Sequence, residues 1–87
     1  MKAYIKENKW DEFKENCNKY KFYVYNKSKK YFVKIIDEDA ILTVNKKTRE
    51  LQLQTPMGYS PFMEVHKETY KDIYDEGFIE FEESRFD

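Results

Sequence analysis

Two glycines and two prolines are all that 87 residues contain. So few breakers leave room for little besides regular elements joined by short turns. Gly58 and Gly77 stand too far apart to build a glycine-rich phosphate loop. Cys17 is the only cysteine. It has no partner for an intrachain disulfide, and small secreted domains usually carry several cysteines. The first residues, Met1 to Lys9, include no apolar signal region, and no apolar run approaches the roughly 20 residues of a membrane span. A cytoplasmic protein without membrane contact is the expectation. His66 is the only histidine. Neither Cys17 nor Glu64 stands at a ligand spacing from it, so no metal site is expected. A nucleophilic Cys17–His66 pair would need a spatial adjacency that the sequence does not show. No catalytic residue and no cofactor are expected, and the chain reads as a non-enzyme.

Aromatic residues and charge are plentiful. Eight Tyr, seven Phe and one Trp make up 18% of the residues, and 38% are charged with a net charge of −1. Balanced charge with regularly spaced apolar residues implies folding rather than disorder. The length implies a single domain over residues 1–87. A core of this size needs only some of the rings, since each buries about 150–250 Å². The surplus becomes a pool of binding candidates. Lys, Asn, Tyr, Phe and Ile, all encoded by AT-rich codons, dominate the composition.

The spacing of apolar residues predicts an α+β fold. Ala3 and Ile5 alternate with Lys2, Tyr4 and Lys6, the pattern of a short strand. A helix follows, with Asn8 as the expected N-cap, Asp11 and Glu12 in its first turn, and Lys19 at its end. Trp10, Phe13 and Cys17 form its apolar stripe. Residues 20–55 read as a four-stranded antiparallel meander. The sets Tyr20–Phe22–Val24, Tyr31–Val33–Ile35, Ala40–Leu42–Val44 and Leu51–Leu53 each repeat with period two, separated by short polar turns. Thr55 to Tyr59 reads as a loop. Ser60-Pro61 reads as an N-cap with proline at the first helical position. The second helix would run from Pro61 to Glu76, presenting Phe62, Val65, Thr69 and Ile73, with Gly77 as its C-terminal cap. Residues 78–83 suggest a last short strand. The expectation is thus a four-stranded meander flanked by an N-terminal and a C-terminal helix, with short terminal strands pairing the chain ends and the helices on one face or on both.

Charge is unevenly distributed. Residues 1–36 hold ten lysines against four acidic residues, a net +6, and residues 64–87 hold nine acidic against three basic residues, a net −6. Such a split invites two readings. In the first, the ends neutralise each other, with Lys2 and Lys6 opposite Glu80 and Glu82 on neighbouring strands. In the second, the acidic end is a surface for a basic protein. Asp72, Asp75 and Glu76 crowd the C-terminal turns of the second helix, where the helix dipole and their mutual repulsion oppose them. A broken local rule of this kind often marks function.

Two binding surfaces follow. Asp72, Asp75, Glu76, Glu80, Glu82 and Glu83 are the candidates for a protein partner with a basic surface. A compact acidic-faced domain of this kind fits an inhibitor from a phage or mobile element, of the anti-restriction or anti-CRISPR type, that blocks the nucleic-acid-binding surface of a host enzyme. Lys21, Tyr23, Tyr25, Phe32 and Lys34 are the alternative. Aromatics interleaved with lysines on an open sheet face would stack bases and meet phosphates in a single-strand nucleic-acid-binding module. The competing explanation is that a helix or a homodimer mate covers that face. The loop from Pro56 to Met63, with two Met, a Tyr and a Phe, suits either an adaptable interface or an anchor to the core.

Overall fold

Strand-forming sequence runs almost the whole length of the chain, and the computed structural model gathers it into one antiparallel sheet. Described are residues 2–24, 30–56, 58–61 and 67–82. The elements in order are β1 (Lys2–Ile5), a 3₁₀ turn (Glu7–Lys9), α1 (Trp10–Glu15), β2 (Tyr23–Val24), β3 (Tyr31–Asp37), β4 (Ala40–Asn45), β5 (Glu50–Thr55), β6 (Gly58–Pro61), α2 (Lys67–Asp75) and β7 (Ile79–Glu82). The fold is α+β.

The sheet runs β2-β3-β4-β5-β1-β7, with β6 added along β5. It is wider than the expected meander. The terminal strands are full members, because β1 pairs with β5 on one side and with β7 on the other. The free edge of β5 is shared end to end: β1 takes Glu50 and Leu51, and β6 takes Gln52 to Thr55. β6 corrects the sequence reading. Pro61 ends a strand instead of starting a helix, which its missing N–H permits at an edge. Thr55 pairs with Gly58, whose φ of 112° favours glycine, and this closes a tight hairpin. The expected helix residues Phe62 and Val65, and loop residues Met57 and Met63, lie outside the described residues.

Both helices lie on one face of the sheet. Phe13 from α1 and Tyr70 and Ile73 from α2 share a core cluster with Ala3, Ile5, Phe32, Leu42, Val44 and Leu51. The centre of this core is aromatic. Phe13 contacts five rings: it stacks on Trp10 and Tyr20 at centroid distances of 5.7 and 6.5 Å, and meets Phe22, Phe32 and Phe78 edge-on at 5.5 to 6.2 Å. The expected α1 stripe of Trp10, Phe13 and Cys17 faces this core. Burial pushes the Cys17 thiol to about 11, against the pull of the Lys46 charge, and its Sγ donates to the Phe13 carbonyl at 3.3 Å. Asn8 is not the N-cap, since it lies inside the 3₁₀ turn and neither helical start has a side-chain cap.

Two sets of the meander sit differently from their alternation pattern. Tyr20 and Phe22 are buried, but Val24 is 41% exposed. In β3 the core-facing residues are Phe32, paired with Val44, and Ile36, while Ile35 is 61% exposed. Val33 is buried, but on the opposite face of the sheet, since directly paired residues share a face and its partner is Thr43. β3 carries apolar residues on both faces, so alternation alone does not say which face the helices cover.

Candidate functional site

The acidic candidates surround β7, the edge strand at one end of the sheet. Asp72, Asp75 and Glu76 stand exposed at the end of α2, on the helix-bearing face. No basic residue occupies the last turn of α2, and its hydrogen-bonded end carries Asp72 and Asp75 instead. A Schellman motif closes the helix. Phe78 N–H donates to Ile73 O at 3.3 Å and Gly77 N–H to Tyr74 O at 3.0 Å, with Gly77 at φ 80°. This turn hands the chain directly to β7. Within β7, Ile79 and Phe81 pair with Ile5 and Ala3 on the core face, so Glu80 and Glu82 project from the other face, opposite Tyr4 and Lys2. The six-residue acidic surface is therefore not one face. Three carboxylates lie on the helix side of the edge strand and two on its back. Glu83 lies outside the described residues.

Each flank has its own surroundings. On the helix side, Lys19, Tyr20, Asp72, Asp75 and Glu76 line a shallow recess. Lys19 Nζ reaches Glu76 Oε1 at 2.6 Å. Lys19 does not end the first helix, as its sequence position suggested, because α1 stops at Glu15; from the turns that follow it supplies the cation that α2 lacks at its own end. On the back, the Tyr4 hydroxyl donates to Glu82 Oε2 at 3.0 Å. That bond, then desolvation and the charges of Glu82 and Glu50, hold the Tyr4 phenol above its ordinary range. Lys2 stands opposite Glu82 in the ladder. Lys6 lies beyond the register, its N–H bonded to Phe78 O. The chain ends thus pair as strands, but among the described residues no ion pair joins Lys2 or Lys6 to Glu80 or Glu82, and Asp72, Asp75, Glu80 and Glu82 all stay outside the ion pairs seen there.

Sequence reasoning missed Arg49. It follows the Asn45 turn, in which Asn45 Oδ1 accepts from the N–H of Lys47 and Thr48 at 2.8 and 3.0 Å. It adopts a φ of 66°, unusual for a residue with a Cβ. Its carbonyl accepts from Ile5 N–H at 2.9 Å and its Nε donates to Ile5 O at 3.1 Å. Arg49 lines a recess together with Tyr4, Thr48, Glu80, Phe81 and Glu82. The only local signal was the polar run from Asn45 to Arg49, which marks a turn but not the direction of a side chain.

The aromatic–lysine set is dispersed. Phe32 belongs to the core at 8% exposure, which corrects its expected place on an open face. Lys34 is on the same helix-bearing face, its Nζ 5.9 Å from the Phe22 ring centroid. Tyr23 is on the opposite face at 42% exposure, paired with Val33. Lys21 is exposed in the turn before β2 at φ 61°, and Tyr25 lies outside the described residues. Among the described residues, Lys21, Tyr23, Phe32 and Lys34 therefore do not share one stacking platform.

Among the described residues no group of three His, Cys, Asp or Glu side chains converges as a metal cluster, and no helix is long and apolar enough to cross a membrane. Comparison with protein-family models, with curated proteins and with solved structures yielded no match.

Proposed function

We propose that this chain is a non-enzymatic binding protein whose acidic end, built around β7, engages a basic surface of another protein. The observation that carries this reading is the exposure of Asp72, Asp75, Glu76, Glu80 and Glu82 at one end of the sheet. Of these five, Glu76 alone joins an ion pair among the described residues. Asp72, Asp75 and Glu76 lie where the α2 dipole disfavours negative charge, so they lower the stability of the helix that carries them. Carboxylates on both sides of an edge strand suit a cleft that contacts the edge from two sides. The nucleic-acid-binding cleft of an enzyme has that shape and charge. A phage- or mobile-element-encoded inhibitor of the anti-restriction or anti-CRISPR type is the kind of protein that would use it.

The test is a tagged pull-down from lysate of the source cell or its host, with nuclease present, read by mass spectrometry. The native chain should retain a stoichiometric protein that elutes with salt. Reversing Asp72, Asp75 and Glu76 to Lys, or Glu80 and Glu82 to Lys, should each weaken that complex by roughly tenfold or more. Folding of both variants is checked by circular dichroism. Retention that neither reversal changes would rule the acidic end out as the contact.

A further inference from the structure

β7 ends the sheet, and its outer side pairs with no strand among the described residues. Two backbone bonds fix which of its groups point that way. Ile5 N–H donates to Arg49 O at 2.9 Å, so the main chain of Ile5 faces β5. Lys6 N–H donates to Phe78 O at 2.8 Å, so the main chain of Lys6 faces the other way. Alternation along β1 then turns Tyr4 and Lys2 toward β7, and Ala3 toward β5. The ladder partners of Tyr4 and Lys2, Glu80 and Glu82, bond inward. The partners of Ile5 and Ala3, Ile79 and Phe81, therefore present N–H and C=O outward. Both belong to one strand and stand two residues apart, the spacing at which a single added strand bonds. The side chains beside this edge are sorted by face. Glu80 and Glu82 are exposed on the back. On the helix-bearing face Phe81 and Tyr74 are half-buried, their ring centroids 6.2 Å apart. Charge is negative over the whole C-terminal run, since residues 64–87 hold nine acidic residues against three basic. The neighbouring cations are Lys2 opposite Glu82, Lys6 opposite Phe78, Arg49 lining the recess with Glu80, and Lys19 on Glu76. None of them lies on β7 itself.

We infer that the outer side of β7 takes an extended basic segment of another protein as an added strand. The inference rests on the acidic-end reading and adds to it the form of the contact. Ile79 and Phe81 supply the main-chain bonds, and the two faces supply side-chain selectivity. Residues directly opposite each other on neighbouring strands share a face. On the back the guest's side chains meet Glu80 and Glu82, which select Lys or Arg. On the helix-bearing face they meet Phe81 and Tyr74, which select apolar residues. The segment that fits thus alternates basic and apolar residues. A second copy of β7 is a poor guest, because antiparallel pairing sets the Glu80 and Glu82 carboxylates of one copy against those of the other. Nucleic acid is a poor guest too, since its phosphates meet the same repulsion and it has no peptide groups to continue the ladder. The carboxylates that admit a basic segment also guard the edge against indiscriminate pairing.

The test uses the full chain as bait for a displayed random decapeptide library. A selected peptide is then measured by fluorescence anisotropy and by amide hydrogen exchange. Selected sequences should alternate Lys or Arg with apolar residues. In the free chain the amides of Ile79 and Phe81 should exchange faster than that of Ile5, and the bound peptide should slow both. Affinity should fall roughly tenfold in Glu80→Lys/Glu82→Lys. N-methylation of alternate peptide residues should abolish binding in one phase and spare it in the other. This second measurement leaves the protein unchanged and serves if the double variant does not fold. A shuffled peptide with its basic residues gathered at one end should bind roughly tenfold more weakly. Equal binding of the shuffled peptide, or indifference to N-methylation in both phases, would overturn the added strand and leave the acidic-end reading standing. So would an absence of enrichment, protection that maps elsewhere, or Ile79 and Phe81 amides as slow as Ile5 before any peptide is added. Enrichment of acidic peptides would overturn both.

Discussion

The chain ends its two helical segments with the same motif, once around glycine and once around lysine. After α2, Phe78 N–H reaches Ile73 O and Gly77 N–H reaches Tyr74 O. After α1, the chain continues in turns, and Phe22 N–H reaches Cys17 O at 2.8 Å while Lys21 N–H reaches Asn18 O at 3.2 Å. Both are Schellman closures, and in both the residue after the left-handed position belongs to the core: Phe78 with Ile73, and Phe22 with Cys17. Only the left-handed residue differs. Gly77 adopts φ 80°, whereas Lys21 sits at φ 61°. Glycine takes that conformation without steric cost, but the lysine Cβ is crowded against the backbone. The charge differs too. Lys14 and Lys19 suit the end of the first segment, and Asp72, Asp75 and Glu76 oppose the end of the second. The pair teaches that the hydrophobic contact after the turn can hold a closure even where the left-handed residue is not glycine.

The largest way to break both closures at once is Phe13→Ala. Its ring touches Phe22 after the first turn and Phe78 after the second. Loss of about 3–5 kcal/mol is expected, read as a fall in the urea midpoint. Next comes the exchange of the left-handed residues. Gly77→Ala should cost about 1–2 kcal/mol. Nothing lies within 4 Å of the added Cβ, so the cost is purely conformational and the fold survives. Lys21→Gly should gain a few tenths to about 1 kcal/mol. Equal effects of opposite sign would show that the closures are energetically alike, and a Lys21→Gly variant no more stable than wild type would show that Phe22 alone sets the first one. Tyr20 lies between the two ends, stacked on Phe13 and edge-on to Phe78 at 6.0 Å. Its buried hydroxyl has no hydrogen-bond partner among the described residues. Tyr20→Phe should therefore raise the thermal midpoint, by an amount corresponding to about 1 kcal/mol. The smallest effect is expected from Lys19→Ala. Its bridge to Glu76 is largely solvated, so the loss should be under about 1 kcal/mol and should fade with added salt.

Parts of this fold were legible because they rest on local chemistry. The β1 alternation of Ala3 and Ile5, the Trp10–Phe13–Cys17 stripe and the Gly77 cap each follow from neighbouring residues, and each appears as expected. Pro61 misled because proline suits both a first helical position and an edge strand, and only the Gln52–Pro61 register chooses between them. The left-handed Lys21 carried no signal, since no glycine or asparagine marks the position.

The acidic candidates were legible as composition and not as a surface. Alternation by itself placed Glu80 and Glu82 on one side of β7 and Ile79 and Phe81 on the other. Their separation from Asp72, Asp75 and Glu76 depended on which side α2 would cover. The aromatic–lysine set failed for the same reason: Tyr23 and Phe32 stand on adjacent strands, and the ladder offset puts Tyr23 beside Val33 and Phe32 beside Val44.

By itself, then, the sequence determined the periods, the turns and the uneven charge, because these depend on residues within a few positions of one another. The tertiary structure alone decided which sheet face lies under the helices, which strands became the edges, and which charges meet. Those outcomes depend on pairings between residues as distant as Lys2 and Glu82, whose register no local pattern encodes.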